Sequence, residues 1–451
     1  MSEYIVKIEK MVNEGAGLAR IDNVPVFVDS ACPDDVLKIK IKKINKSYLT
    51  GEIVEIVDPS KYRVKPICAL HNVCGSCNWQ HIDYSEQLVQ KQNIVEETLE
   101  RFAGYSGKIE NIIPSPKITE YRCKVQMPVS QTKVSKRILS GYYKKNSHEL
   151  INIKYCPMHP NIINEINEFI KEQAQLLDIS GYHEKKHIGL LRHIVYRISS
   201  DLTQIIVIFV INSDFIDNNL RKLSELLYDN FSQIKGVSAN LNNKKTNVIL
   251  SNETKCIVGN NYYIETLGDY KYQVSANSFF QVNPLCAKQI FDKVKDLIVS
   301  KIENPSILDA YSGVSSFGVW LSNIASKVIC VEEVKSASED AKENIKLNSI
   351  NNIEIINGDA AKQFKYLIEK GISFDVSITD PPRKGCSIES IENLVQLTNK
   401  YIVYVSCNVS TLARDMKLLN DKGFKTIYVQ PCDLFPNTYH VETIALFEKI
   451  R

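Results

Sequence analysis

The sequence predicts several domains in one chain: a small N-terminal β-barrel, a central α/β segment and a C-terminal α/β domain with a mostly parallel sheet. Three observations carry this. Short alternating strands fill the first 60 or so residues, three cysteines fall within Cys68–Cys77, and apolar strands alternate with helical stretches from about residue 270. A length of 451 residues also suits about three domains at roughly 150 residues each. Expected bounds are 1–60, 61–265 and 266–451.

The barrel is read from YIVKIEKMV, GAGLARIDNVPVFVDS and VLKIKIKKINKSYLTGEIVEIVD. Alternation in VLKIKIKK puts Lys38, Lys40 and Lys42 on one strand face and Ile39 and Ile41 on the other. No acid occurs from Val36 to Gly51, so this face reads either as a solvated surface or as a track for a phosphate backbone. The central segment holds the cysteines, two amphipathic helices (SEQLVQKQNIVEETLERFAG and NIINEINEFIKEQAQLL) and strands including IIVIFVI and TNVILS.

The C-terminal third reads PSILDAYS, KVICVEEV, IEIINGDA, FDVSITDPP, YIVYVSC, KTIYVQPCD and YHVETIALFEKI, with helices between all but the last two. That pattern means βαβ units, and the final helix-free pair implies a hairpin with an antiparallel edge strand. Ligands of such sheets bind outside the carboxyl ends of the strands. Those ends carry DAYSGVSSFG, VEEV, NGDA, TDPPRKG and VSCN. The first is a glycine turn without a full GxGxxG, because Ser315 stands where a second glycine would be. Glu332 or Glu333 suits ribose hydroxyls and Asp359 an adenine amine, so a nucleoside cofactor is expected. In TDPPRKG the two prolines cannot continue a ladder, which fixes Asp380 and Arg383 over the crevice. Cys407 ends a strand just before a helix whose amides and dipole should favour a thiolate.

Cys68, Cys74 and Cys77, with Cys156 as a fourth, suit four thiolates around one metal centre, iron–sulfur or zinc; spacing does not choose. His71, His81 and His159 read as surface or supporting residues. The twelve cysteines argue against a disulfide framework. A formal charge of +3 neither demands nor excludes nucleic acid. No run of about 18 apolar residues exists and MSEYIVKIEK lacks a signal peptide's apolar core, so a cytoplasmic chain without a membrane span is expected.

CALHNVCGSCNWQH, YRCKVQMPV, FFQVNP, DAYSGVSSFG, DPPRKG, SCNVSTLARD and FPNTYHVET, in this order, resemble the bacterial RNA uracil-5-methyltransferases. More narrowly the chain is similar to the 23S ribosomal RNA members, which carry a TRAM barrel and a four-cysteine iron–sulfur cluster. The resemblance implies an OB-like TRAM barrel, a central domain holding a [4Fe–4S] cluster on Cys68, Cys74, Cys77 and Cys156, and a Rossmann-like class I methyltransferase domain. It implies Cys407 as nucleophile and Glu442 as base. Gln281, Tyr311, Ser316, Glu332, Asp359 and Asp380 would bind S-adenosyl-L-methionine. RNA, 23S rRNA before tRNA, is the implied partner of a monomer. Four positions depart from the family: Ser312 and Ser315 replace the cysteine and second glycine of Cys-Gly-x-Gly, Cys123 replaces the asparagine of YRNK, and Val409 replaces a proline. Ser315 would add a side chain where backbone should approach the cofactor.

Carbon 5 of uracil is a poor nucleophile, and a thiolate added at carbon 6 makes it electron-rich. Cys407 would attack, carbon 5 would take the methyl, and Glu442 would remove the carbon-5 proton. His440 shares a strand face with Glu442 by period two and is the other candidate base. Asp380 or Arg383 would orient the uracil. Rival readings are a tRNA uridine-5-methyltransferase, a radical enzyme and a catalytically inactive RNA-binding relative. A radical enzyme needs an open iron, typically from C-x3-C-x2-C, which the four-cysteine set does not leave.

Overall fold

The computed structural model describes residues 3–450. Six strands, β1 (Glu3–Lys7), β2 (Lys10–Met11), β3 (Gly17–Ile21), β4 (Val24–Val28), β5 (Val36–Ile44) and β6 (Leu49–Asp58), form a sheet in the order β1-β5-β6-β4-β3-β2. Val6 from β1 and Ala19 from β3 share one core with Leu37 and Ile39, so the sheet curls on itself. On β5 the isoleucine and lysine faces separate as alternation requires, but the lysine face is not bare. Lys38 pairs with Glu3 at 2.7 Å, and the β5–β6 register sets Lys38 beside Glu55 and Lys40 beside Glu52. Acids from neighbouring strands thus offset the row, a cross-strand effect that a single strand's spelling cannot reveal. Lys42, Lys43 and Lys46, near the β5–β6 turn, are exposed and make no ion pair among the described residues.

After the cysteine loop comes α1 (Tyr84–Ala103), capped by Asp83 and ended by Gly104 in the left-handed region (φ +65°). The central sheet holds β7 (Lys124–Gln131), β8 (Ile138–Tyr143), β9 (Leu150–Asn152), β10 (Leu191–Ile198), β11 (Ile205–Ile211), β12 (Ile234–Leu241) and β13 (Thr254–Gly259), in the order β13-β12-β11-β10-β7-β8-β9. Helices α2 (Asn161–Leu176) and α3 (Asn218–Asn230) bury Ile163, Ile166, Ile170, Leu220, Leu223 and Leu227 against it. TNVILS forms no strand. Its backbone carbonyls are taken by side chains instead: Asn242 Nδ2 donates to Val248 O (2.8 Å) and Ile249 O (2.9 Å), and Asn240 Nδ2 to Ser251 O (2.9 Å). Side-chain amides here replace a ladder.

A hairpin, β14 (Tyr262–Leu267) and β15 (Tyr270–Ser275), leads into α4 (Pro284–Val299) and the third sheet. That sheet contains β16 (Ser306–Ala310), β17 (Lys327–Glu332), β18 (Ile353–Asn357), β19 (Phe374–Thr379), β20 (Thr398–Ser406), β21 (Phe424–Cys432) and β22 (Glu442–Lys449), ordered β18-β17-β16-β19-β20-β22-β21. The connecting helices are α5 (Ser316–Leu321), α6 (Lys335–Leu347), α7 (Ala360–Glu369), α8 (Ile388–Leu397) and α9 (Val409–Asp421). The edge strand differs from expectation. β22 pairs antiparallel with both β20 and β21, so the reversed strand is inserted and β21 is the edge. The crossover through α9 leaves a slot beside β20, and the chain returns to fill it.

Helix α1 lies in the central segment by sequence, yet Ile94, Val95 and Leu99 join Leu412, Met416 and Phe447 in the core of the third sheet. Lys91 on α1 is fully buried and donates to Asp433 Oδ1 at 2.5 Å and Phe435 O at 3.0 Å.

Candidate active site

Strand register brings the expected residues to one level. Ala310 pairs with Val331 and with Thr379, so Tyr311, Glu332 and Asp380 all leave the sheet together. Thr379 in turn pairs with Tyr404, and Ser406 pairs with Thr443. Extending that antiparallel pairing by one residue sets Cys407 opposite Glu442. Helix α4 follows the 276–283 loop, from which Gln281 Nε2 donates to Asp380 Oδ2 at 3.3 Å. Gln281, Tyr311, Glu332, Asp380, Cys407 and Glu442 therefore border a single crevice at the carboxyl ends of the strands.

The glycine turn shows how its residues are used. Glu332 accepts from Gly313 N (2.8 Å) and Val334 N (2.7 Å), which fixes the carboxylate while leaving lone pairs for other donors. Tyr311 sits at φ +60° and Gly313 at φ +56°, and a Cβ on Gly313 would meet nothing within 4 Å, so its open side faces the crevice. Ser315 has φ +63°, which explains why glycine suits the position. Its side chain does not enter the crevice: it is fully buried, with Oγ 3.1 Å from Cys330 Sγ. The departure costs backbone strain of about 1 kcal/mol rather than cofactor space. Ser316 opens α5 and is half-buried. Asp359 is exposed and its Oδ1 caps α7 by accepting from Lys362 N (3.1 Å), a structural task. These residues fit a nucleoside with a cationic sulfonium: acids line the crevice and backbone approaches closely.

Asp309 was not singled out, though an acid inside the apolar strand SILDA was the available signal. It is buried, accepts from Gly318 N at 2.9 Å, and burial pushes its carboxyl up to about 7.

The thiol departs from expectation. Burial, then the carboxylates of Glu442 and Asp380, push Cys407 up to about 12, against the opposing pull of Arg383. Asn408 is the N-cap of α9, so Cys407 stands outside the first turn, and helix amides do not outweigh two buried acids. Burial raises Asp380 as well, and burial plus Asp380 raise Glu442 well above the carboxylate range, with Arg383 opposing. His440 lies before β22 instead of on a shared strand face. Burial, followed by Arg383, Lys91 and Arg122, lowers it to about 4, which makes it a weak base. Arg414 and Asp415 brace the DPPRKG loop. Asp415 accepts from Cys386 N (2.9 Å) and Tyr404 Oη (2.6 Å), and Arg414 donates to Lys384 O (3.1 Å) and Cys386 O (2.9 Å).

Cys68, Cys74, Cys77 and Cys156 line one cavity with His71, Gln80, Arg122, Tyr142 and Met158. Among the described residues no group of three or more His, Cys, Asp or Glu is arranged to hold a metal ion. Four thiols on one cavity are the donor set of either an iron–sulfur centre or zinc. Gln80 Oε1 accepts from Cys68 N (3.1 Å) and Asn164 Oδ1 from Cys156 N (2.9 Å), so side-chain amides from a loop and a helix hold the cysteine-bearing backbone. His71 is buried, reaches His81 Nδ1 through Nε2 (3.0 Å), and its Nδ1 has no protein partner.

The barrel reaches the rim of the crevice. Asn13 Nδ2 donates to Ser410 Oγ at 3.3 Å, and Gly15 packs between Trp79 and Tyr439.

Residues 83–450 match the family described as tRNA (Uracil-5-)-methyltransferase, and residues 2–54 match the TRAM domain. An uncharacterized RNA methyltransferase of Oceanobacillus iheyensis is 38% identical over 445 residues, covering 98% of this chain and 95% of that protein. One from Clostridium acetobutylicum is 37% identical over 461 residues, covering 100% and 97%. The crystal structure of Pyrococcus abyssi tRNA (uracil-54, C5)-methyltransferase with S-adenosyl-L-homocysteine superposes with a TM-score of 0.76 at 25% identity, covering 98% of this chain and 100% of that one.

Proposed function

The chain belongs to the S-adenosyl-L-methionine-dependent RNA uracil-5-methyltransferase family, and from that premise we propose that it methylates uracil carbon 5 through a covalent Cys407–carbon 6 adduct. The observation that carries the adduct is the register that sets Cys407 opposite Glu442, one strand from Asp380. Bound S-adenosyl-L-methionine supplies the methyl group. Gln281, Tyr311, Glu332 and Asp380 would hold it in the crevice, with Ser316 and Asp359 beside them.

Cys407 Sγ adds to carbon 6 and moves electron density to carbon 5. Because the free thiol is held protonated, its proton leaves as sulfur attacks: with the pair ionised, Asp380 takes that proton and returns it to sulfur when the carbon–sulfur bond breaks, which leaves Glu442 free for the carbon-5 proton. Arg383 favours both the thiolate and the developing enolate. After methylation Glu442 takes the carbon-5 proton; those electrons restore the 5,6 double bond and the carbon–sulfur bond breaks. The target base must leave its stack for this to occur.

Cys68, Cys74, Cys77 and Cys156 would hold a [4Fe–4S] cluster, in a structural role that shapes the RNA-contacting surface. We favour 23S rRNA as the target, on the motif set shared with the 23S members. A tRNA target is the second reading, favoured by whole-length similarity to an enzyme that acts on tRNA uracil-54. The test is Cys407→Ala: methyl transfer should fall by at least about a thousandfold, and the denaturation-resistant protein–RNA adduct should vanish. Retained methylation overturns the covalent route.

A further inference from the structure

The segment Phe435–Thr438 lies between the third sheet's edge strand and Glu442, and groups from distant parts of the chain converge on it. Lys91 Nζ donates to Phe435 O at 3.0 Å, and Tyr121 Oη donates to Pro436 O at 3.0 Å. Asn78 N and Trp79 N, the two residues after Cys77, both donate to Asn437 O at 3.1 Å. Asn437 N donates to Gln87 Oε1 (2.9 Å), and Asn437 Nδ2 donates to Ile118 O (2.8 Å) and lies 3.7 Å from Met158 Sδ, two residues beyond Cys156. Asn437 is buried and holds φ +65°, a conformation that asparagine tolerates better than most residues. Its backbone and side chain thus meet both arms of the cysteine cavity. Five residues later the same chain delivers Glu442.

We propose that Asn437 is a positioning residue that transmits the seating of the cysteine-lined loop to the catalytic base, so that an assembled four-cysteine centre is required for Glu442 to reach the carbon-5 proton. The inference rests on the reading of Glu442 as base and of the four cysteines as one centre. Contiguous hydrogen bonds between two rigid parts are the physical route. Loss of the link misplaces the base after Cys407 has already bonded to carbon 6. Adduct formation and methyl transfer then proceed, while release stalls because the carbon-5 proton stays and the carbon–sulfur bond cannot break.

The holoenzyme is tested as Asn437→Gly, which keeps the left-handed backbone and removes the side-chain bonds, and as Tyr121→Phe, which removes one hydroxyl. Each is incubated with S-adenosyl-L-methionine and substrate RNA and run under denaturing conditions, beside Glu442→Gln and Cys77→Ser. Cofactor binding by calorimetry reports whether each variant is folded. The expected result is an adduct band carrying labelled methyl in Asn437→Gly, Cys77→Ser and Glu442→Gln, a weaker one in Tyr121→Phe, and turnover lowered at least tenfold in Asn437→Gly with cofactor affinity unchanged. If Glu442→Gln traps the adduct but folded Asn437→Gly and Tyr121→Phe lose or keep adduct and turnover in step, the inference is wrong. If Glu442→Gln fails to trap it, the assignment of the base fails first.

Discussion

At the level of single residues, two buried carboxylates beside one thiol set the behaviour of the crevice. Burial raises Asp380 and Glu442, so between the ordinary carboxylate range near 4 and their raised values the folded chain keeps protons that the unfolded chain has released. With more protons bound in the folded state, these groups make stability fall as pH rises through that window. Asp380→Asn removes this group's share and relieves part of the rise at Glu442, whose own burial remains. Its melting temperature, relative to the parent chain, should climb by several degrees between pH 4.5 and pH 8 in the absence of cofactor. An equal gap at both pH values refutes the raised pair. Cys407, pushed up to about 12, adds to the slope in the same direction only as pH nears the ordinary thiol value of about 8.5, where the unfolded chain begins to ionise.

At the level of elements, α1 is pinned to the third sheet by the Lys91–Asp433 pair, with both side chains fully buried. Removing one partner strands the other charge, so Lys91→Met should cost about 3–5 kcal/mol in denaturant unfolding, and Lys91→Met with Asp433→Leu should recover a good part of it. A double variant no better than the single one would show that packing, rather than the stranded charge, sets the loss. The sequence placed α1 as a helix correctly, from its amphipathic spacing. It did not reveal which core the helix joins, because amphipathicity reports a buried face and not the neighbour that buries it. The order of β22 and β21 was hidden for a similar reason: strand patterning fixes faces, while pairing depends on the crossover. By contrast the five strand ends that border the crevice were legible, since βαβ alternation alone puts them on one edge. His440 was misplaced by assuming that the strand began two residues early.

At the level of the whole molecule, the barrel touches the rim of the candidate crevice, with Asn13 reaching Ser410 and Gly15 against Tyr439. The exposed cations left over on the barrel are Lys42, Lys43 and Lys46, near the partly exposed Tyr48 ring. If they meet RNA phosphates, the triple change to glutamate should weaken RNA binding and flatten the dependence of log affinity on log salt by about 0.7–0.9 per lost contact. An unchanged slope places the RNA elsewhere. Local sequence named these lysines but also named Lys38 and Lys40, whose acidic partners come from other strands.

The central claim is that this chain puts a methyl group on carbon 5 of a uridine in RNA. It is tested by incubating the protein with methyl-labelled S-adenosyl-L-methionine and RNA from cells lacking the gene, then mapping the label by nuclease digestion and mass spectrometry. Label in 5-methyluridine within 23S rRNA is the expected result. Label confined to tRNA would move the target to the second reading, and label on another atom, or none in any RNA, would contradict the claim itself.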